Sequence, residues 1–241
     1  MAKSTVSSAG IGGQLAEALR EAGASLVGFA DVSPFPAEAR RGLPCALSIA
    51  TALDAGVVAG LEHGPTGAYH AEYVRVNGVL ERLARLATNL LAAGGHRASF
   101  GPVTVRATGS DTAAASLPHK TVATRAGLGW IGHSALLVTR EHGPTVRLTS
   151  VFTDAPLACE KPIVRSRCGT CRRCVDACPA TAISGRPWRA GLARERFYDA
   201  AACREKASAL AAARGIDVTI CGICIRACPW TQRFLRRAQG L

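Results

Sequence analysis

A chain of 241 residues is long enough to bury one large hydrophobic core or two modest ones. Hydrophobic residues make up 48% of it and charged residues 19%, a balance that excludes wholesale disorder. No apolar run reaches the roughly 18 to 20 residues of a membrane span, and the first residues do not resemble a secretory signal. We therefore expect a cytoplasmic protein that does not enter a membrane.

The positive charge is concentrated in the second part of the chain. Residues 1–158 hold 13 Lys and Arg against 11 Asp and Glu, whereas residues 159–241 hold 16 against 6. Nine of the ten cysteines also lie in the second part, and Cys45 stands alone in the first. A basic excess of this kind attracts nucleic acid or an acidic protein partner. We place the domain boundary in the segment 159–167, which gives domains over 1–158 and 159–241.

The first domain is predicted to mix helices and strands. A short helix is expected at residues 13–22, followed by an apolar strand at 25–29 and another at 46–50. Apolar side chains then recur at helical spacing over residues 69–93, which predicts the longest helix of the chain. The two glycines that follow it favour the end of that helix.

The later elements of this domain continue the same mixture. A helix is predicted at residues 119–125, with Pro118 suited to its first turn. Residues 134–139 and 146–153 are predicted to be two strands that pair with each other. The expected fold class is α/β (α+β) for residues 1–158.

The second domain carries the clearest motif. Residues 168–178 read CGTCRRCVDAC and precede Pro179, which is the C-x2-C-x2-C-x3-C-P spacing of bacterial ferredoxins. A looser motif follows, in which Cys203 precedes residues 221–228, CGICIRAC, and Pro229. In two-cluster ferredoxins the last cysteine of each motif holds the other cluster. The spacing predicts one [4Fe-4S] cluster on Cys168, Cys171, Cys174 and Cys228, and a second on Cys178, Cys203, Cys221 and Cys224.

Structural zinc is the alternative to two clusters, and disulfides are a weaker one. Zinc takes four tetrahedral ligands, usually from two separated cysteine pairs, which the tight x2, x2 spacing does not suit. Cys45 and Cys159 remain outside both motifs and are interpreted as incidental thiols. Each oxidised cluster with four thiolates carries about two negative charges. Part of the basic excess is therefore expected to balance the clusters or to dock an electron donor.

A glycine pattern at residues 127–132 matches the dinucleotide-binding motif G-x-G-x-x-G by letter. That motif functions between a strand and a following helix, so that the helix N-terminus meets the pyrophosphate. Here a predicted helix comes before the glycines and a predicted strand after them. We expect these glycines to allow a tight turn or the close approach of a flat ligand, and not to bind a dinucleotide.

The segment 117–132, LPHKTVATRAGLGWIG, resembles the epoxyqueuosine reductase family, as do Tyr69-His70 and the ending Cys228-Pro229-Trp230. The resemblance extends over about residues 65–235. Members of the family reduce an epoxide in a tRNA wobble nucleoside, using cobalamin supplied with electrons by two [4Fe-4S] clusters. Reductive dehalogenases share this core arrangement. The resemblance implies a cobalamin-binding-type domain packed on a two-cluster, ferredoxin-like domain.

The resemblance also implies residues near the corrin. By position these are Tyr69, His70, Gly129, Trp130, Gly132, His133, Ser134, Leu137, Gly222 and Ile223. One departure concerns the proton donor, because Ala113 stands where the family has an aspartate. Asp111, His119 and Lys120 are the candidates to supply the proton in its place.

Three functions are compatible with these features. The first is a cobalamin-dependent iron–sulfur reductase that receives electrons from a ferredoxin or flavodoxin and acts on tRNA epoxyqueuosine or another small electrophile. The second is an electron-transfer or corrinoid-activating protein that turns over no substrate. The third is a tRNA-binding module, which the basic second domain favours.

Overall fold

A four-stranded antiparallel sheet forms the centre of the first part of the chain. The computed structural model describes residues 10–103 and 117–240. The strands are β1 (Leu26–Asp31), β2 (Cys45–Ala52), β3 (Ala98–Phe100) and β6 (Val146–Thr153). Their order across the sheet is β1-β2-β6-β3, and β6 pairs with β2 along its full length. The long antiparallel pair β2–β6 is the frame on which the helices pack.

Helices cover both faces of this sheet. They are α1 (Ile11–Glu21), α2 (Ala55–Ala59), α3 (Gly67–Ala93) and α4 (His119–Arg125). The large side chains Leu47 and Ile49 of β2 point into the main core, which includes the buried faces of α1 and α3. Ala46, which alternates with them, lies in a smaller core with Val122 of α4. The helices and strands predicted for the first domain are therefore present, although their ends differ by a few residues.

Small residues explain how closely α4 approaches the sheet. Gly28, Ser48 and Ser150 form one row across β1, β2 and β6. A Cβ atom added at Gly28 would lie 2.7 Å from the carbonyl oxygen of Ala126, at the end of α4. The helix can pack closely over this row because none of its three residues has a bulky side chain.

The predicted pairing of residues 134–139 with 146–153 is wrong. Residues Leu137–Val138 form a short strand, β5, whose partner is β4 (Trp130–Ile131). Thr139 and Gly143 then close a narrow turn through two backbone hydrogen bonds of 3.0 Å. The chain enters β6 only after this turn, and both edges of β6 are occupied by β2 and β3.

The second part of the chain consists of short helices joined by loops. These are α5 (Arg173–Asp176), a 3₁₀ turn (Arg194–Arg196), α6 (Ala200–Ala212), α7 (Ile223–Arg226) and α8 (Pro229–Ala238). Ala211, Ile216, Ile225 and Leu235 of this part belong to the same buried cluster as the apolar face of α3. The two predicted domains therefore share one hydrophobic core.

No helix among the described residues combines the length and apolar composition that crossing a membrane requires.

Candidate functional site

The structure brings four cysteines together around the loop that precedes α5. Buried Cys174 interacts electrostatically with Cys228, Cys168 and Cys171, and Cys228 interacts with the same two. Cys228 reaches this place from the far end of the chain because it is the N-cap residue of α8. We call Cys168, Cys171, Cys174 and Cys228 the first thiol group.

Four other cysteines form a second group around Cys224. Half-buried Cys224 interacts electrostatically with Cys221, Cys203 and Cys178. Cys203 comes from α6, where Asp199 caps the helix with its carboxylate and fixes the position of the first turn. We call Cys178, Cys203, Cys221 and Cys224 the second thiol group. Because Cys224 also interacts with Cys174 of the first group, the two groups are direct neighbours.

Burial and neighbouring sulfur atoms favour the neutral form of the Cys174 and Cys228 thiols. Burial raises the pKa of Cys174 to about 12, and the charges of Cys228 and Cys168 add to the rise. Burial likewise raises the pKa of Cys228 to about 11, although the backbone N–H groups of Trp230 and Thr231 bond to its sulfur and oppose the rise. Metal ligation would remove the protons outright, since the positive charge of iron stabilises the thiolates.

The spacing of the thiols bears on the kind of metal centre. All ten cysteines are free of disulfides. Within residues 10–103 and 117–240, no three Cys, His, Asp or Glu side chains lie close enough together to enclose a single metal ion. A zinc ion would need its thiolates at about 2.3 Å from one centre. Two neighbouring groups of four cysteines are instead the ligand set of two [4Fe-4S] clusters.

A cavity of about 950 Å³ lies between the two parts of the chain. All four cysteines of the second thiol group line it, whereas none of the first group does. Of the residues predicted near a corrin, four line this cavity, namely Tyr69, Ser134, Gly222 and Ile223. The cavity therefore includes the space that a cluster on the second thiol group would fill, and it continues beyond that space along α3, α4 and β6.

Lys120 is a part-buried cationic side chain of the cavity wall. It lies in the first turn of α4, and its Nζ donates a 2.5 Å hydrogen bond to the carbonyl oxygen of Ala135. Burial lowers the pKa of this ammonium group to about 8, and the positive charge of Arg194 lowers it further. A lysine with such a pKa can release a proton near neutral pH.

A second predicted proton donor, His119, does not line the cavity. His119 is turned towards the sheet, where Nδ1 lies 3.0 Å from Ser150 Oγ and Nε2 lies 3.3 Å from the carbonyl oxygen of Pro102. Burial lowers its pKa. Asp111, like Ala113, lies outside the described residues.

The comparisons with known proteins agree with this arrangement. Residues 167–231 match the family model of the 4Fe-4S double cluster binding domain. The matched range contains all eight predicted ligand cysteines and neither Cys45 nor Cys159. An epoxyqueuosine reductase from Synechocystis sp. is 35% identical over 120 residues, which cover 49% of this chain and 41% of that protein.

Over those 120 residues the chain is similar to epoxyqueuosine reductases.

Solved structures show the same fold. A reductive dehalogenase described as suggesting a mechanism for B12-dependent dehalogenation superposes with a TM-score of 0.67 and 19% identity, covering 99% of this chain and 35% of that one. An epoxyqueuosine reductase solved with a tRNA-Tyr epoxyqueuosine-modified stem loop gives 0.62 and 18%, covering 91% and 64%. This epoxyqueuosine reductase-like chain therefore spans less than half of the curated relative and about two thirds or less of these structures. The match to the double-cluster domain assigns two [4Fe-4S] clusters to the chain. Cysteine spacing alone had left zinc as an alternative.

The remaining residues predicted near a corrin lie elsewhere in this epoxyqueuosine reductase-like fold. The β4–β5 hairpin carries Trp130 and His133 to the first thiol group, where Trp130 Nε1 donates to Cys168 Sγ at 3.4 Å and His133 Nδ1 donates to the carbonyl oxygen of Cys171 at 2.9 Å. A Cβ atom at Gly132 would lie 3.5 Å from Cys168 Sγ. The cavity lining does not include Gly129, Trp130, Gly132, His133 or Leu137. The hairpin therefore covers the first thiol group.

His70 lies near the cavity without lining it. Its Nε2 is 3.6 Å from Asp217 Oδ1, and Asp217 is an exposed residue of the cavity wall. This contact joins the start of α3 to the loop that precedes Cys221. His70 therefore links the two parts of the chain.

Sequence reasoning missed several residues of the cavity wall. Arg147 of β6 stacks on the Tyr73 ring at 4.2 Å and donates from Nε to Asn77 Oδ1 at 3.0 Å. All three line the cavity. They come from the middle of a strand and of a long helix, where no motif spacing distinguishes them from ordinary surface positions.

Cys45 and Cys159 also proved to be neighbours. Burial raises the pKa of the Cys159 thiol to about 11, and the hydrogen-bonded Cys45 thiol raises it further. Cys45 packs against the main core, Cys159 interacts with Asp31 and Arg125, and neither cysteine lines the cavity.

Proposed function

We propose that this chain is a cobalamin-dependent iron–sulfur reductase whose corrinoid occupies the 950 Å³ cavity. The observation that carries the proposal is that this one space is lined both by the second thiol group and by the buried amine of Lys120. An electron source and a proton source therefore meet at the same ligand site. The description of the similar reductive dehalogenase as B12-dependent supports cobalamin as that ligand.

The residues of the wall fit such a cofactor. Apolar side chains, among them Leu53, Leu136 and Val218, share the wall with the small residues Ala180 and Gly222. A mostly apolar cavity with a few fixed polar groups is the usual environment of a bound cofactor. When bound, cobalamin supplies a cobalt centre that passes electrons to an electrophilic substrate.

The clusters would be held by the cysteines as the motif spacing predicts. The first thiol group would hold one cluster and the second thiol group the other, and the electrostatic interaction of Cys224 with Cys174 supports two neighbouring clusters. Electrons would then pass from the first cluster to the second, and from there to the ligand in the cavity. The backbone N–H groups of Trp230 and Thr231 stabilise the thiolate of Cys228 in this arrangement.

Lys120 would supply the proton that reduction of an epoxide or a similar electrophile consumes. Its ammonium group is present below a pH of about 8, and its bond to the carbonyl oxygen of Ala135 fixes the direction of Nζ. Burial also raises the pKa of Tyr69, so its hydroxyl stays neutral and available as a hydrogen-bond donor at the same wall.

The substrate class would be tRNA epoxyqueuosine or another anionic electrophile. Exposed Arg204 and Lys206 of α6 stand at the cavity wall with Arg194, and the exposed carboxylate there is Asp217. Such an excess of positive charge attracts a phosphate backbone. The epoxyqueuosine reductase solved with a tRNA stem loop supports RNA as the molecule that carries these phosphates.

The test is anaerobic reconstitution followed by titration with cob(II)alamin, watched by EPR and visible absorption. Two cubes imply iron near eight per chain, which is checked first. We expect a cob(II)alamin spectrum altered by binding, and its loss when bulky side chains fill the cavity, as in Ala207→Trp. Unchanged cobalamin spectra with full iron content would overturn the proposal.

An electron-transfer or corrinoid-activating protein is the second candidate. It is favoured by Ala113, which stands where the similar family has its aspartate. In that role the chain would reduce a corrinoid on another protein and would turn over no substrate. Substrate consumption by the reconstituted chain with bound cobalamin, measured with an epoxyqueuosine-modified stem loop, separates the two functions.

A further inference from the structure

Arginines crowd the exposed loop of the first thiol group. Arg172 and Arg173 lie between Cys171 and Cys174, and both are exposed. Arg167 precedes Cys168 directly and is also exposed. Its guanidinium carbon lies 6.0 Å from the ring centre of Trp130.

A fourth arginine reaches the same place from α8. The guanidinium carbon of exposed Arg233 lies 4.7 Å from the ring centre of Trp230. That ring meets Trp130 edge to face at 5.3 Å, and Trp130 donates to Cys168. Two exposed arginines are therefore linked to one sulfur of the first thiol group through two indole rings in edge-to-face contact.

Little negative charge opposes these arginines. The carboxylate paired with them is Asp176, whose Oδ1 lies 3.7 Å from Arg172 Nε. Both side chains are exposed, so the pair holds the arginine only weakly. Four cations against one carboxylate and about two negative charges on the oxidised cluster still leave a positive surface around this cluster loop.

The position of this surface distinguishes it from the substrate side. The second thiol group lines the cavity and the first does not. Electrons bound for the cavity therefore enter at the first thiol group, and a donor that arrives there does not compete with a substrate at the cavity.

We propose that Arg167, Arg172, Arg173 and Arg233 form the docking surface for an acidic, one-electron carrier protein. The inference rests on the proposed function, because it takes the first cluster as the point of entry. In the step, a flavodoxin hydroquinone gives up one electron and becomes the semiquinone, while one oxidised [4Fe-4S] cluster gains that electron. No bond forms or breaks in this step. The positive surface steers the negatively charged carrier to the cluster.

The experiment follows reduction of the reconstituted chain by flavodoxin hydroquinone in a stopped-flow spectrometer at several salt concentrations. The test variant is R172E/R173E, and the matched control is R20E/R82E, which reverses two exposed arginines of α1 and α3. We expect the second-order rate of the test variant to fall at least about tenfold at low salt and to lose its salt dependence. The control variant should react like the unmodified chain.

Photoreduced deazaflavin, a small reductant, checks that the clusters of each variant still accept electrons. If R172E/R173E binds less iron, Arg233→Glu, which lies outside the ligand loop, replaces it and should show the same loss with flavodoxin alone. An unchanged flavodoxin rate in an iron-replete variant would overturn the inference. So would an equal loss in R20E/R82E.

Two further outcomes separate this inference from its rivals. If R172E/R173E keeps its flavodoxin rate but loses affinity for bulk tRNA, the surface binds RNA and the inference is wrong. If the chain binds no cobalamin while its flavodoxin rate still depends on the arginines, the proposed reductase function fails and the docking surface stands.

Discussion

Lys120 combines three properties at one atom: it is buried, it lines the cavity, and Ala135 fixes its direction. Its pKa falls from 10.5 to about 8 because burial disfavours the charged form. Between these two pH values the unfolded chain binds the proton more tightly than the folded chain. This residue therefore costs stability in its charged form, and the cost disappears as the pH rises from 8 towards 10.5.

Replacing Lys120 with Met should remove proton donation while leaving the clusters in place. We expect the turnover of the reconstituted reductase to fall by about 10²- to 10⁴-fold, the usual contribution of a positioned acid. In the unmodified chain the rate should decline as the pH rises through about 8, where the ammonium form is lost. The pH–rate profile of the variant should lack this decline. Exposed Lys161→Met serves as the control, and a profile of K120M that still declines near 8 would assign the proton to another group.

The arrangement of cluster ligands can be tested by comparing spectra of single variants. Cys228→Ala and Cys168→Ala should each leave about four iron atoms per chain and give the same EPR spectrum, because both remove the first cluster. Cys221→Ala should leave the same amount of iron and a different spectrum. A match between the spectra of C228A and C221A would show instead that each motif holds its own cluster.

How far single residues could be predicted depended on whether a motif marked them. Cysteine spacing assigned the two thiol groups that the structure brings together. The family resemblance predicted Tyr69, Ser134 and Trp130 near one ligand, whereas the structure has Tyr69 and Ser134 in the cavity wall and Trp130 outside it. Trp130 lies at Cys168 because a two-residue strand pairing, which no periodicity reveals, turns it away.

Among the elements, the β4–β5 hairpin depends on glycines that allow close backbone contact. A Cβ atom at Gly129 would lie 2.3 Å from the carbonyl oxygen of Val138, a distance that no real contact permits. Because the hairpin covers the first thiol group, strain at Gly129 should weaken binding of the first cluster. The glycine segment was predicted to form a tight turn or to approach a flat ligand. In the structure, Gly129 instead lies against the backbone of Val138 in the same hairpin.

Gly129→Ala is therefore expected to destabilise the chain by about 1 to 3 kcal/mol, the usual cost of an overpacked site. It should also reduce the iron retained by the first cluster. Thermal unfolding and iron content give the two readouts. Gly67→Ala, in the first turn of α3 where a Cβ atom meets nothing within 4 Å, is the matched control. Equal melting temperatures for the two variants would contradict the argument.

At the level of elements, local patterns predicted more than long-range pairing. Residues 119–125 and 146–153 form the predicted helix and strand because their own side chains favour those conformations. The partner of β6 was predicted wrongly because neighbours in sequence are the usual partners of a strand. Here β6 pairs instead with β2, about 100 residues earlier in the chain.

At the scale of the molecule, the shared core joins the clusters to the sheet. Ile220 and Ile225 are adjacent to the ligand cysteines Cys221 and Cys224 and pack in the same core as Leu80 and Val151. Removal of iron should therefore lower the stability of the whole chain. We expect one cooperative thermal transition, shifted to lower temperature in the iron-free protein, when unfolding is followed by circular dichroism. A transition of the sheet and α3 that stays at the same temperature without iron would show that the two parts are independent.

This shared core also bears on how the protein is made. Residues 211–235 complete the core, yet they are synthesised after every strand of the sheet. The sheet and α3 therefore wait with part of their apolar surface uncovered while the rest of the chain emerges. The same late segment carries three ligand cysteines, so delivery of iron and closure of the core become a single step of biogenesis, and a cell short of iron would accumulate a chain with an open, aggregation-prone core.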